Sequence, residues 1–231
     1  MPSRSDPVPQ PTTLRDGVSD LHALLSASGE RGPYVMVGHS LGGAIAKLYA
    51  SEYPREVSGL VLIDYLPYQA RNALTDEQWR LWKDPLLGAP SEQALAMYPD
   101  LEYNANQRNF RQDSVAPPLK PMPFIVLSAD EPYDFLPLVE DGSLPMTADE
   151  AIKFSKLLFR AVVDARADLV SQVPGARHIT DTDSDHYLHQ EQPQLVIDAV
   201  REVVEAARKK SCALDIKNHG QCVKAEKQAR R

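Results

Sequence analysis

Cysteine is nearly absent from this chain of 231 residues: there are two, Cys212 and Cys222, both in the last twenty positions. Neither can staple a core, and free thiols are the expected state in a reducing compartment. No CxxC or HExxH occurs, which excludes the common zinc spacings. No apolar run approaches the roughly eighteen residues that a membrane-spanning helix requires. The opening stretch MPSRSDPVPQPTT carries prolines where a signal peptide has its apolar segment, so a cytoplasmic location is expected. Positive charge is scarce outside the C-terminus. From Arg208 to Arg231 there are eight Lys/Arg against two acidic residues, a net +6, so the overall −7 leaves −13 on the rest. No aromatic side chain is interleaved with the basic residues. They are expected to form a solvated tail, and no nucleic-acid partner is expected.

What remains is ordinary globular composition, 43% apolar and 25% charged, and enough chain for one sizeable core. Residues 1–12 read as a flexible Pro/Ser-rich leader. Leu14, Val18, Leu21 and Leu25 then recur at helical spacing. The strand-like runs YVMVG, VSGLVLID and MPFIVLSAD follow, with a weaker fourth, GARHITDT. LGGAIAKLYASEY reads as a helix after the first run, and a last helix opens at Pro193. Strands apolar on both faces and alternating with helices predict an α/β fold, a mostly parallel sheet flanked by helices.

The domain is expected over 13–208, with a basic, disordered tail over 209–231. Two long connections, about 65–122 and 131–175, read as helical insertions of the lid or pocket-wall kind. They contain the capping boxes Thr75/Gln78 and Thr147/Glu150 and a short helical stretch, SEQALAMY. The first is rich in aromatics (Tyr65, Tyr68, Trp79, Trp82, Tyr98, Tyr103), expected to line or pack a lid, with a partner surface as the weaker reading.

The stretch GHSLGG carries the chemistry. A strand that turns at once into a helix can lift Ser40 onto a strained apex, where bulky residues two positions away would clash; Gly38 and Gly42 occupy those places. His39 is held within the elbow. The Leu41 N–H, at the start of the helix, is placed to stabilise an oxyanion. A serine hydroxyl needs a base, and the base an orienting carboxylate. His186, in the acidic loop TDSDHYLHQEQP before the last helix, is the expected base, with His189 its near rival and His178 a packed strand residue. Asp130, closing the third strand, is the expected acid because that strand lies nearer the histidine loop; Asp64, closing the second, is the alternative. Asp183 and Asp185 are expected only to solvate the loop.

With GPYVMVGHSLGGAIAKLYASEYPREVSGLVLID, PFIVLSAD and DHYLHQEQPQLVIDAVREVV in view, the chain resembles the α/β-hydrolase superfamily of serine esterases and lipases from about Leu14 to Arg208. The resemblance implies a serine hydrolase acting on a carboxylic ester or related acyl substrate, with the roles falling on Ser40, His186 and Asp130. It implies no cofactor and no metal. Asp185 stands where the family usually has a small residue before the histidine. The family normally builds strands ahead of the elbow strand, and here only a leader and one helix precede Tyr34. The resemblance therefore implies an N-terminally truncated sheet and a weakened oxyanion hole. It also implies an exposed edge near Tyr34–Gly38 through which a homodimer would form. A catalytically inactive remnant or binding module is the alternative function.

Overall fold

The computed structural model describes residues 12–83 and 106–219. The leader 1–11, the stretch SEQALAMY, Tyr98 and Tyr103 lie outside them, as do the end of the basic tail and the side chain of Trp82.

Four strands form one parallel sheet in the order β1-β2-β3-β4: Tyr34–His39, Val57–Ile63, Phe124–Leu127 and Arg177–Ile179. Each parallel step requires a crossover, and helices supply it. Helix α1 (Leu14–Ser28) opens on a reciprocal cap: Thr13 Oγ1 accepts from the Asp16 N–H, and Asp16 returns the bond to the Thr13 N–H at 2.8 Å. It stops at Gly29, whose φ of 75° is accessible to glycine at little cost. Helix α2 (Ser40–Glu52) follows β1 directly. A 3₁₀ turn (Tyr68–Ala73), α3 (Asp76–Lys83) and α4 (Asn106–Ser114) lie between β2 and β3. Between β3 and β4 come α5 (Leu136–Glu140) and α6 (Ala148–Ser171), and after β4 come α7 (Leu188–Glu191) and α8 (Pro193–His219). The predicted boxes cap α3 and α6 through Thr75/Gln78 and Thr147/Glu150.

The period-two alternation of strand side chains divides the core into two layers. Met36, Leu60, Leu62, Phe124 and Val126 pack with α1, α2 and α6. Val61, Ile63, Ile125 and Leu127 face the other way, against Leu188, Ala199 and Val203. β1 ends the strand order, and its Val37 is 45% exposed.

Four expectations require correction. Helix α6 is not a lid: Ala151, Phe154, Leu158, Ala161 and Val162 bury its apolar stripe in the main core. Tyr65, Tyr68 and Trp79 likewise lie in that core, so they offer no surface to a partner. The last helix runs to His219 rather than giving way to a disordered tail at residue 209. Cys212 is disulfide-bonded rather than a free thiol. Among the described residues no helix is long and apolar enough to cross a membrane.

Candidate active site

Ser40 sits at the junction of β1 and α2 with φ 52°. A non-glycine residue in the left-handed region costs on the order of 1–3 kcal/mol and persists only where its surroundings over-determine it. They do so here. A Cβ at Gly38 would strike the carbonyl of Gly42, and one at Gly43 would strike the Cβ of Tyr65. A Cβ at Gly42 would meet nothing within 4 Å. The steric demand expected of Gly38 and Gly42 thus falls on Gly38 and Gly43, the two points where strand, helix and the turn after β2 cross most closely. The Leu41 N–H lies in the first turn of α2, where the helix itself offers no acceptor.

Asp64 ends β2 with φ 37° and 2% exposure. Its Oδ2 accepts from His186 Nδ1 at 2.6 Å, while Oδ1 accepts from the Ala129 N–H at 3.0 Å and from an Arg166 amino group at 2.5 Å. Burial alone would raise this carboxyl. The His186 hydrogen bond, the Arg166 charge and the Ala129 amide outweigh burial and hold it below the ordinary carboxylate range. With Nδ1 engaged, the other nitrogen of His186, Nε2, remains for a hydroxyl.

Asp130 does something else. Its carboxylate accepts the backbone N–H groups of Thr182, Asp183 and Ser184 at 3.2, 2.8 and 3.0 Å. The Ser184 N–H does most to depress the Asp130 carboxyl; burial opposes it, and the Asp183 and Thr182 N–H groups add to the depression. Asp130 is therefore the staple of the loop that carries His186, and the carboxylate meeting the imidazole is Asp64. The strand order alone favoured Asp130. The left-handed turn at Asp64 decides otherwise, because it aims that carboxylate along the strand ends toward His186.

His39 ties the two halves of the site together. Its Nε2 lies 2.7 Å from the His186 carbonyl oxygen, and its ring centroid is 4.6 Å from those of both His186 and His189. Burial lowers the His39 imidazole and the bond to the His186 carbonyl partly restores it, with the neighbouring histidines lowering it further. His39 adjoins Ser40 in sequence, so these contacts bring the histidine loop over the elbow. The Leu66 N–H donates to the Ser40 carbonyl at 3.2 Å, which joins the turn after β2 to the same point. His178 packs in β4, with Nε2 2.8 Å from Ser128 Oγ.

Sequence reasoning missed Arg166. It is 1% exposed, donates from Nη2 and Nε to the Tyr65 carbonyl at 2.7 and 3.1 Å, and reaches Ser128 Oγ at 3.1 Å besides Asp64. A signal was present: Ala151, Ser155, Leu158, Val162 and Arg166 form one three- and four-residue stripe, and all five are buried. A cation on a core-facing stripe requires a buried anion. Among the described residues no group of three or more His, Cys, Asp or Glu side chains is placed to hold a metal ion.

Similarity to known proteins agrees with this architecture. The sequence pattern described as the Alpha/beta hydrolase family matches residues 1–199. Lipase LipV of Mycobacterium tuberculosis is 50% identical over 54 residues, 23% of this chain and 20% of its own length. The 2-(acetamidomethylene)succinate hydrolase of Mesorhizobium japonicum is 28% identical over 210 residues, covering 83% of this chain and 70% of its own. The alignment to LipV thus spans about a fifth of that relative. Alpha/beta hydrolase domain-containing protein 10 from mouse superposes with a TM-score of 0.52 at 16% identity, over 84% of this chain and 70% of the mouse chain. With its parallel sheet, its strand-to-helix elbow and a family match over most of its length, the chain belongs to the alpha/beta hydrolase family.

Proposed function

We propose that the chain is a serine hydrolase cleaving a carboxylic ester or related acyl substrate, with Ser40 as nucleophile, His186 as base and Asp64 as the acid. The observation that carries this reading is the 2.6 Å contact between His186 Nδ1 and a buried Asp64 carboxylate, in a loop that His39 docks over the Ser40 elbow. Ser40 Oγ attacks the acyl carbon while His186 Nε2 takes its proton. Asp64 accepts the Nδ1–H throughout, fixing the tautomer and stabilising the imidazolium. The Leu41 N–H faces the developing oxyanion. Collapse of the tetrahedral intermediate expels the alcohol, which receives the proton from His186. Water, activated by the same imidazole, then releases the acid and restores Ser40. No cofactor takes part in this scheme. The names lipase and hydrolase carried by the two relatives accord with such chemistry.

Labelling with a fluorophosphonate probe, followed by mass spectrometry, tests the reading without knowledge of the substrate. An adduct on Ser40 that disappears in Ser40→Ala is expected. Absence of any adduct on Ser40 in the unsubstituted protein would overturn the nucleophile and leave a binding module.

A further inference from the structure

Arg166 is the least expected charge in the molecule: a guanidinium buried beneath the site, arriving from a helix whose other buried side chains are uncharged and mostly apolar. Its hydrogen bonds concentrate on two consecutive residues. One amino group holds the Asp64 carboxylate, and the other, with Nε, grips the Tyr65 carbonyl. That dipeptide stands at the centre of the site's geometry. Asp64 is held in the left-handed region and touches His186, Tyr65 packs its Cβ against the elbow at Gly43, and the next residue, Leu66, bonds the Ser40 carbonyl. Nucleophile and base are thus both referred to one turn, and the turn is clamped by one side chain.

We propose that Arg166 is a positioning residue for hydrolysis, fixing the Asp64–Tyr65 turn against both Ser40 and His186 and balancing the Asp64 charge. The inference rests on the serine-hydrolase reading above. A planar guanidinium suits this task because its fork can satisfy a carboxylate and a carbonyl at once while keeping its charge. The charge matters as much as the shape. Asp64 and Arg166 form a neutral buried pair, so a proton arriving at His186 meets less net negative charge than a lone aspartate would present. Among the described residues, the ionisable groups around the pair are Tyr65, whose ring lies 5.7 Å from the guanidinium, His39, Tyr133, Tyr187 and His189, with His178 beyond Ser128. Removing the Arg166 cation therefore makes the Asp64–His186 unit hold its proton more tightly, wherever in the unit that proton sits.

The test compares Arg166→Gln and Arg166→Lys with the parent, using p-nitrophenyl acetate across a pH series. In Arg166→Gln, kcat is expected to fall about 100-fold with little change in KM, and the acid limb of the profile to move up by about one pH unit. In Arg166→Lys the charge remains, so the acid limb should stay in place while the loss of the fork still lowers kcat. Equal displacement of the limb in both variants, or a kcat in Arg166→Gln within threefold of the parent, would overturn the proposal. Should Arg166→Gln fail to fold, the parent itself supplies the measurement. The guanidinium ¹⁵N signals of Arg166 should shift in step with the acid limb of the activity profile, and signals indifferent to that limb would overturn the proposal. Failure of Ser40 to take up the fluorophosphonate would remove the underlying reading. Normal labelling, with Arg166 variants that behave like the parent, would remove this inference alone.

Discussion

His186 and Asp64 are joined at 2.6 Å although 122 positions separate them in the chain, and the pairing brings a partly exposed loop imidazole to one of the most buried carboxylates among the described residues. A charged group so buried is tolerated only when its lone pairs are occupied. Here His186, Arg166 and the Ala129 amide occupy them.

The division of labour between the two aspartates can be separated by substitution. Asp64→Asn is expected to reduce kcat about 10⁴-fold, because the amide cannot hold the productive tautomer. Asp130→Asn should leave the chemistry nearly intact and cost at most about 1 kcal/mol of stability, since water competes for the three N–H groups it caps. Steady-state kinetics and urea denaturation of both variants measure the contrast. A greater kinetic loss in Asp130→Asn would reverse the assignment.

The elbow predicts opposite outcomes for two glycines four positions apart in sequence. Gly38→Ala forces a methyl into the Gly42 carbonyl, so a large fall in thermal midpoint, or no folding, is expected. Gly42→Ala has open space within α2 and gains helix propensity, so a stabilisation of about 0.5–1 kcal/mol is expected. Differential scanning calorimetry decides the matter; a midpoint lowered by Gly42→Ala would mean that the elbow tolerates no side chain there.

Lys47 and Asp113 form a second buried ion pair, at 2.6 Å with side-chain exposures of 7% and 3%. Lys47→Met alone is expected to cost about 3–5 kcal/mol, because Asp113 is left uncompensated. The double variant Lys47→Met/Asp113→Leu should recover most of that loss. A double variant as unstable as the single one would show that the pair contributes more than charge cancellation.

Stability should also fall as the solution is acidified through the histidine range. Burial, with the Arg166 charge beyond Ser128, lowers His178, and burial lowers His39. Each is therefore neutral in the folded state at pH values where the unfolded chain already binds a proton. The stability is complete above the ordinary histidine value of about 6.5 and is lost as pH falls through the lower folded values. Denaturation midpoints between pH 8 and about 5 should decline in the parent and decline less steeply in His178→Gln. Parallel slopes would mean that His178 does not participate.

The sequence by itself determined the alternation of strands and helices and the two capping boxes at Thr75/Gln78 and Thr147/Glu150. These depend on neighbours three or four positions away, and such contacts form wherever the local pattern is met. It also placed the Ser40 elbow, because the turn can be made only by residues as small as those flanking it, although the clash falls on Gly43 rather than Gly42. Which carboxylate reaches His186 was decided by tertiary structure. The choice between Asp64 and Asp130 depends on one backbone dihedral, which leaves no local pattern in the chain, and on an arginine 102 residues downstream, whose place on a buried stripe calls for an anion without naming which. Long-range pairs of this kind are settled by the mutual compensation of buried charges, which exists only once the helix has docked on the sheet.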